Sequence, residues 1–218
     1  MKTTSSAKAG ILAAIRAARP GAGADPQKIA QEAEACARAM QTTLPPLNGA
    51  DIVGLFASRA GAEKVGASVT RVATLADLPA AVAAYADAQG LGPDFSLQPD
   101  PALQALDWSP LRPSAKIGPA TPLAVGVARC GVAETGSLVF NSSAASPTLF
   151  GFLPDHHIVA IDARKIHLSL EDYARAEQGS PAPRNVNFIT GASGTTDIEG
   201  VLVRGAHGPR SLHIVIFG

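Results

Sequence analysis

At 218 residues, with 18 Lys+Arg against 18 Asp+Glu, the chain has room for one large α/β domain and a small helical appendage. Its formal net charge of zero leaves no basic field to hold nucleic acid, and its apolar runs, such as Leu212 to Phe217, fall far short of the roughly 20 residues of a membrane-spanning helix. The two cysteines, Cys36 and Cys130, have no CxxC spacing; they exclude a disulfide framework and a four-cysteine iron–sulfur cluster built from this chain alone.

The first residues place a short apolar run, Ala9 to Ile15, between Lys8 and Arg16, which reads as an amphipathic helix rather than a signal peptide and makes the cytoplasm the expected location. Pro26 to Met40 predicts a helix, with Asp25 as N-cap and Pro26 in the first turn. Pro45-Pro46-Leu47-Asn48-Gly49 then reads as a rigid linker. Residues 1–45 are expected to form a helical arm with Ala-rich faces that pack on the main body or on another subunit, and residues 46–218 the main domain.

From Ala50 onward, Ile52, Val53, Leu55 and Phe56 recur at helical spacing, and Gly61 to Gly66 ends the run. Ser68 to Val72 reads as a strand, and Leu75 to Gln89 as a helix with Leu75, Leu78, Val82 and Tyr85 on one face. Asp94 to Trp108 is ambiguous because Pro99 and Pro101 interrupt any regular element. Leu123–Val127, Ser137–Asn141, His157–Ile161, Asn187–Ile189 and Leu212–Phe217 read as strands, with a helix near Leu170 to Gln178. Strands that are apolar at consecutive positions and alternate with helices define an open, mostly parallel sheet with helices on both faces. Such a sheet binds ligands at the carboxyl ends of its strands, so the turns after Val127, Phe140 and Ile189 are the places to look.

Two constellations carry candidate chemistry. In Gly131-Val132-Ala133-Glu134-Thr135-Gly136-Ser137, an acid stands between apolar residues and a small-residue turn. Burial would raise the pKa of Glu134 and suit it to act as base or nucleophile. The alternative is structural, with Glu134 accepting backbone hydrogen bonds or pairing with Arg129. In the second, Ile189 to Gly200 leads through Val201-Leu202-Val203 to Gly205-Ala206-His207-Gly208-Pro209. If Thr195 to Glu199 form a helical turn, the amides there make an anion cradle; the competing reading is a capping arrangement at Ser193 or Thr195. Together these segments nominate Glu134 as proton acceptor and His207 as acid or carboxylate partner. Thr135, Gly136, Ser137, Gly191, Ser193, Thr195, Asp197, Glu199 and Gly208 are the ligand-binding candidates, and the two loops are expected to converge on one cleft. The polar loop Asn141 to Pro147 is a further candidate wall, or simply a loop and helix cap. His156 and His157 are adjacent and point to opposite faces of a strand, and no HExxH, H-x₃-H or Cys/His pairing occurs, so no metal site is expected. No dinucleotide or ATP fingerprint is present.

Four segments, Gly131 to Leu138, Leu153 to Val159, Thr190 to Glu199 and Gly205 to Pro209, occur in the same order in the lactate-utilisation (LUD) domain family. The chain resembles its short, cluster-free members over roughly residues 50 to 218. One departure is Gly194, where many relatives carry arginine, which removes a bidentate anion donor. The resemblance implies a fold like that of ribose-5-phosphate isomerase, glucosamine-6-phosphate deaminase and the CoA transferases. It also implies a part in oxidising L-lactate to pyruvate beside iron–sulfur proteins that hold the clusters, this chain binding no cofactor itself. Three roles follow. The chain is a component of that system, binding a small carboxylate or related anionic metabolite; or an autonomous enzyme on a sugar phosphate or acyl-CoA ester using Glu134; or a non-catalytic, carboxylate-binding regulatory module.

Overall fold

The structure, a computed structural model, describes residues 4–18, 25–39, 51–119, 121–196 and 202–218. The chain divides into two units, Met1–Pro46 and Leu47–Gly218. In the first unit lie α1 (Thr4–Ala17) and α2 (Pro26–Ala39). The Asp25 carboxylate accepts a hydrogen bond from the amide of Gln27 at 2.9 Å, which satisfies a donor that a helix start leaves open. The expected linker, Pro45 to Gly49, lies outside the described residues.

The second unit runs α3 (Ile52–Ala60), β1 (Ala67–Val72), α4 (Leu78–Ala88), β2 (Asp94–Leu97), α5 (Pro101–Gln104), β3 (Arg112–Ser114), β4 (Leu123–Val127), β5 (Cys130–Val132), β6 (Ser137–Asn141), β7 (His156–Asp162), β8 (Ile166–His167), α6 (Leu170–Ala176), β9 (Val186–Ile189), β10 (Gly194–Thr196), β11 (Leu202–Arg204) and β12 (Ser211–Phe217). Six strands form one sheet in the order β1-β12-β7-β4-β2-β3. Every pairing within it is parallel. β12 inserts between β1 and β7, so the last strand of the chain lies inside the sheet. A second, mixed sheet has the order β8-β5-β6-β9, and β10 with β11 makes an antiparallel hairpin.

Burial on both faces explains the near-continuous apolar runs of β4, β7 and β12. Along β7 the side chains alternate between two cores: Ile158 and Ala160 join Leu78, Val82 and Ala86 of α4, whereas Val159 and Ile161 join Phe56 and Ala60 of α3. The second core also takes Leu138, Phe140 and Ile166 from the mixed sheet. One face of the parallel sheet is thus covered by helices, and the other by α3 together with the smaller sheet.

Two readings from sequence are revised here. The ambiguous stretch after Asp94 contains the short strand β2; Pro99 and Pro101 follow it and start a helical turn, with Asp100 capping the amide of Ala102 at 2.9 Å. The helical turn expected at Thr195 to Glu199 is replaced at its start by strand: Gly194, Thr195 and Thr196 pair with Arg204, Val203 and Leu202. Two β-branched threonines in succession favour the extended backbone over a helix.

Candidate functional site

A cleft of about 730 Å³ opens at the carboxyl ends of the parallel strands. Gln98 stands just past β2, Val127 ends β4, Asp162 ends β7 and Phe217 ends β12, and all four line it. This is where an open parallel sheet places a ligand, because its strands end together there and the loops that follow diverge. The expected places are met in part: the segments after Val127 and Phe140 supply Ala128, Arg129, Cys130, Asn141, Ser143, Ala145 and Ser146 to this cleft, whereas no described residue of the turn that directly follows Ile189 lines it.

Gln98 is the anchor of the wall. Only 2% exposed, it accepts a hydrogen bond from the amide of Val127 at 3.1 Å and donates one to the carbonyl of Ala145 at 3.0 Å. One side chain thus ties the end of β4 to the loop after β6. Gly126 makes this possible, since a Cβ there would stand 2.6 Å from Gln98 Oε1 and 3.3 Å from His157 Nε2. His157 is buried against the ring of Phe140, both of its nitrogens lack a hydrogen-bond partner among the described residues, and burial lowers its pKa to about 4.

Charge in the cleft is largely paired. Arg129 forks onto Glu177, with Nε to Oε1 at 3.0 Å and Nη2 to Oε1 and Oε2 at 2.8 and 2.9 Å. Asp162 accepts from the guanidinium of Arg164 at 3.0 and 2.8 Å and from its amide at 3.0 Å, which holds its carboxyl below the usual range. Lys165 is exposed and, among the described residues, makes no ion pair within 4 Å. Its ammonium and the Arg129 guanidinium both act on the thiol of Cys130. That thiol is nevertheless pushed up to about 11, chiefly by burial, so it is protonated at neutral pH and a poor nucleophile.

Among the described residues, none of the catalytic or ligand-binding candidates from the two constellations lines this cleft, whereas Asn141, Ser143, Ala145 and Ser146 of the candidate polar loop do. Glu134 is half-buried, and its Oε1 accepts from the amide of Leu170 at 2.9 Å, at the start of α6. Thr135, Ser137 and Thr190 form a chain of hydroxyls, 2.7 and 2.6 Å between successive oxygens, joining the first nominated segment to the start of the second. Gly136 and Gly191 have positive φ and press on backbone: a Cβ at Gly136 would lie 2.5 Å from the amide nitrogen of Ala60, and one at Gly191 would lie 2.0 Å from the carbonyl oxygen of Val65. Their smallness thus serves the seam against the end of α3, at Gly136, and against the turn that follows it, at Gly191. Ser193 organises the next turn. Its amide donates to Pro209 O at 2.8 Å, its carbonyl accepts from Gly205 N at 3.1 Å, and its hydroxyl lies 3.4 Å from the amide of His207. Gly208 packs on Ser193; His207 and Thr195 are exposed. Asp197 and Glu199 lie outside the described residues. The structure therefore brings Thr135, Gly136 and Ser137 beside Thr190 and Gly191, and Ser193 beside His207 and Gly208, but none of these is among the residues that line the cleft.

The residues the sequence reading passed over, Gln98, Asp162, Lys165 and Glu177, each look ordinary in isolation and come from separate segments. The one available signal was position: Gln98 and Asp162 directly follow or end strands of the parallel sheet.

A parallel sheet covered on both faces, with a polar cleft at its strand ends, defines an α/β protein of the open-sheet class. Residues 121–217 match the family model described as LUD domain. It is 39% identical over 92 residues to a protein of Neisseria meningitidis serogroup B, covering 40% of this chain and 39% of that one. It is 32% identical over 117 residues to lactate utilization protein C of Geobacillus kaustophilus, covering 50% and 49%. The chain thus spans from about two-fifths to half the length of these curated relatives. Among solved structures, a DUF162 family protein from Deinococcus radiodurans matches with a TM-score of 0.54 at 19% identity, over 79% of this chain and 100% of that one, a likeness of fold.

Proposed function

We propose that this chain is a component of a system oxidising L-lactate to pyruvate, holding a carboxylate or related anionic metabolite in the strand-end cleft while iron–sulfur proteins carry the electrons. The observation that carries the reading is the match to the LUD-domain model together with the similarity to proteins named lactate utilization protein C. The cleft agrees with it, offering Lys165, which makes no ion pair within 4 Å among the described residues, and several amide and hydroxyl groups in one place. In this reading the chain supplies binding and assembly, and redox chemistry belongs to clusters on the partners.

Glu134, Gly191, Ser193 and Gly208 act here as scaffold. They fasten the mixed sheet to the turn after α3, start α6 and shape the last turn before β12. The test is reconstitution of lactate oxidation from the two iron–sulfur proteins with and without this chain. Lactate-dependent reduction of an acceptor is expected only when the chain is present, and undiminished in Glu134→Gln. Full oxidation without the chain would refute the reading.

A further inference from the structure

The cleft is too large for a three-carbon acid. At about 730 Å³ it falls in the range of roughly 300–1,000 Å³ that holds ligands of drug or nucleotide size. Lactate alone would leave most of it to water. Its polar wall is of mixed character: the amides of Gln98 and Asn141 and the hydroxyls of Ser143 and Ser146 stand beside the cations Arg129 and Lys165. The Asn141 amide oxygen is buried and has no hydrogen-bond partner among the described residues, so turning it toward the cleft sacrifices no bond. Neutral groups that both donate and accept suit hydroxyls; cations suit an anion.

The Arg129–Glu177 pair gives the cleft its logic. Arg129 is 47% exposed in its side chain and Glu177 23%, so the pair sits at the wall in reach of solvent. Glu177, the residue that ends α6, places a carboxylate on the same fork of donors that an anionic ligand would use. Lys165 acts on the same Cys130 thiol and on the Asp162 carboxylate through its charge, but, among the described residues, makes no ion pair within 4 Å.

We infer that the strand-end cleft binds a hydroxylated anion larger than lactate, its carboxylate or phosphate group taken by Lys165 and by Arg129 in exchange for Glu177. The inference rests on the cleft being the ligand site, and not on a part in lactate oxidation. A polyol chain then runs along the amides and hydroxyls beside these cations, and Glu177 is an internal competitor that keeps Arg129 oriented until the anion arrives.

The test is calorimetric titration of the full chain with four probes: D-gluconate, D-glucitol 6-phosphate, uncharged D-glucitol and L-lactate. At least one of the two anionic polyols is expected to bind about tenfold or more tightly than glucitol and than lactate, as the loss of hydrogen bonds to charged groups requires. Which of the two binds identifies the anion as carboxylate or phosphate. Lys165→Met is expected to weaken that binding by about tenfold, and Glu177→Gln to strengthen it several-fold by releasing Arg129. A merely structural ion pair gives the opposite result in Glu177→Gln, because losing it loosens the wall. Binding of lactate or glucitol as tight as that of both anionic polyols overturns the inference, and so does unchanged or weakened binding in Glu177→Gln. Reconstituted lactate oxidation is measured separately. If it still depends on the chain while the polyols fail to bind, the inference falls alone; if the polyols bind and the chain is dispensable for lactate, the lactate reading falls alone.

Discussion

Single residues in this protein earn their place by what they exclude. His157 is 1% exposed and packs near Gly126 and on Phe140, where a charged imidazole would be shielded from solvent and, among the described residues, without a hydrogen-bond partner. Its pKa, lowered from 6.5 to about 4, ties stability to pH. Because the folded state resists the proton that the unfolded chain accepts, the contribution is complete above pH 6.5 and is lost as pH falls from there toward 4. The full loss is about 3 kcal/mol. Denaturant unfolding at pH 7 and pH 4.5 measures it: the drop in stability between the two is expected to shrink by about 2–3 kcal/mol in His157→Leu. An equal drop in both proteins would show that His157 is not the proton-linked group. Glu134 teaches the converse lesson. An acid among apolar neighbours in sequence suggested enclosure, but a three-residue strand and a turn carry its side chain out to the start of α6.

At the scale of elements, the sequence was most legible where burial was most complete. β4, β7 and β12 announced themselves as unbroken apolar runs, and α4 through its spacing of Leu78 and Val82, since each is fixed by its own residues. β5 escaped notice because Cys130-Gly131-Val132 is too short to show a period, and it is a strand only by virtue of its partners β6 and β8. The hairpin of β10 and β11 was missed for a related reason, its pairing being set across a turn rather than along one segment. The small residues near Gly136 and Gly191 were legible as special, but as ligand loops; the structure gives them a packing reason. Gly136→Ala and Gly90→Ala separate the two components of that reason. Both glycines have positive φ, 70° and 65°, but a Cβ at Gly90 meets nothing within 4 Å, whereas at Gly136 it meets the backbone of α3. Gly90→Ala is expected to cost about 1–2 kcal/mol of unfolding free energy and Gly136→Ala about 2–5. Equal costs would mean that the seam against α3 yields without penalty.

For the molecule as a whole, the class of fold was readable because it follows from the alternation of buried strands and helices, and the location of the cleft because parallel strands end together. Its lining was not. Gln98, Arg129, Asn141, Asp162, Lys165 and Glu177 become a site only when six strands and a mixed sheet have been assembled, and no motif joins them along the chain. The LUD domain matched over residues 121–217 supplies most of these groups, while β2 brings Gln98 from outside it. The measurement that bears most directly on the account is lactate oxidation by the assembly reconstituted with the double variant Arg129→Met/Lys165→Met, its folding checked by an unchanged unfolding midpoint. With both cations of the cleft gone, lactate-dependent turnover is expected to fall at least about tenfold below that with the unaltered chain. Turnover equal to that of the unaltered chain would contradict the claim that an anion held at the strand ends is what this protein contributes.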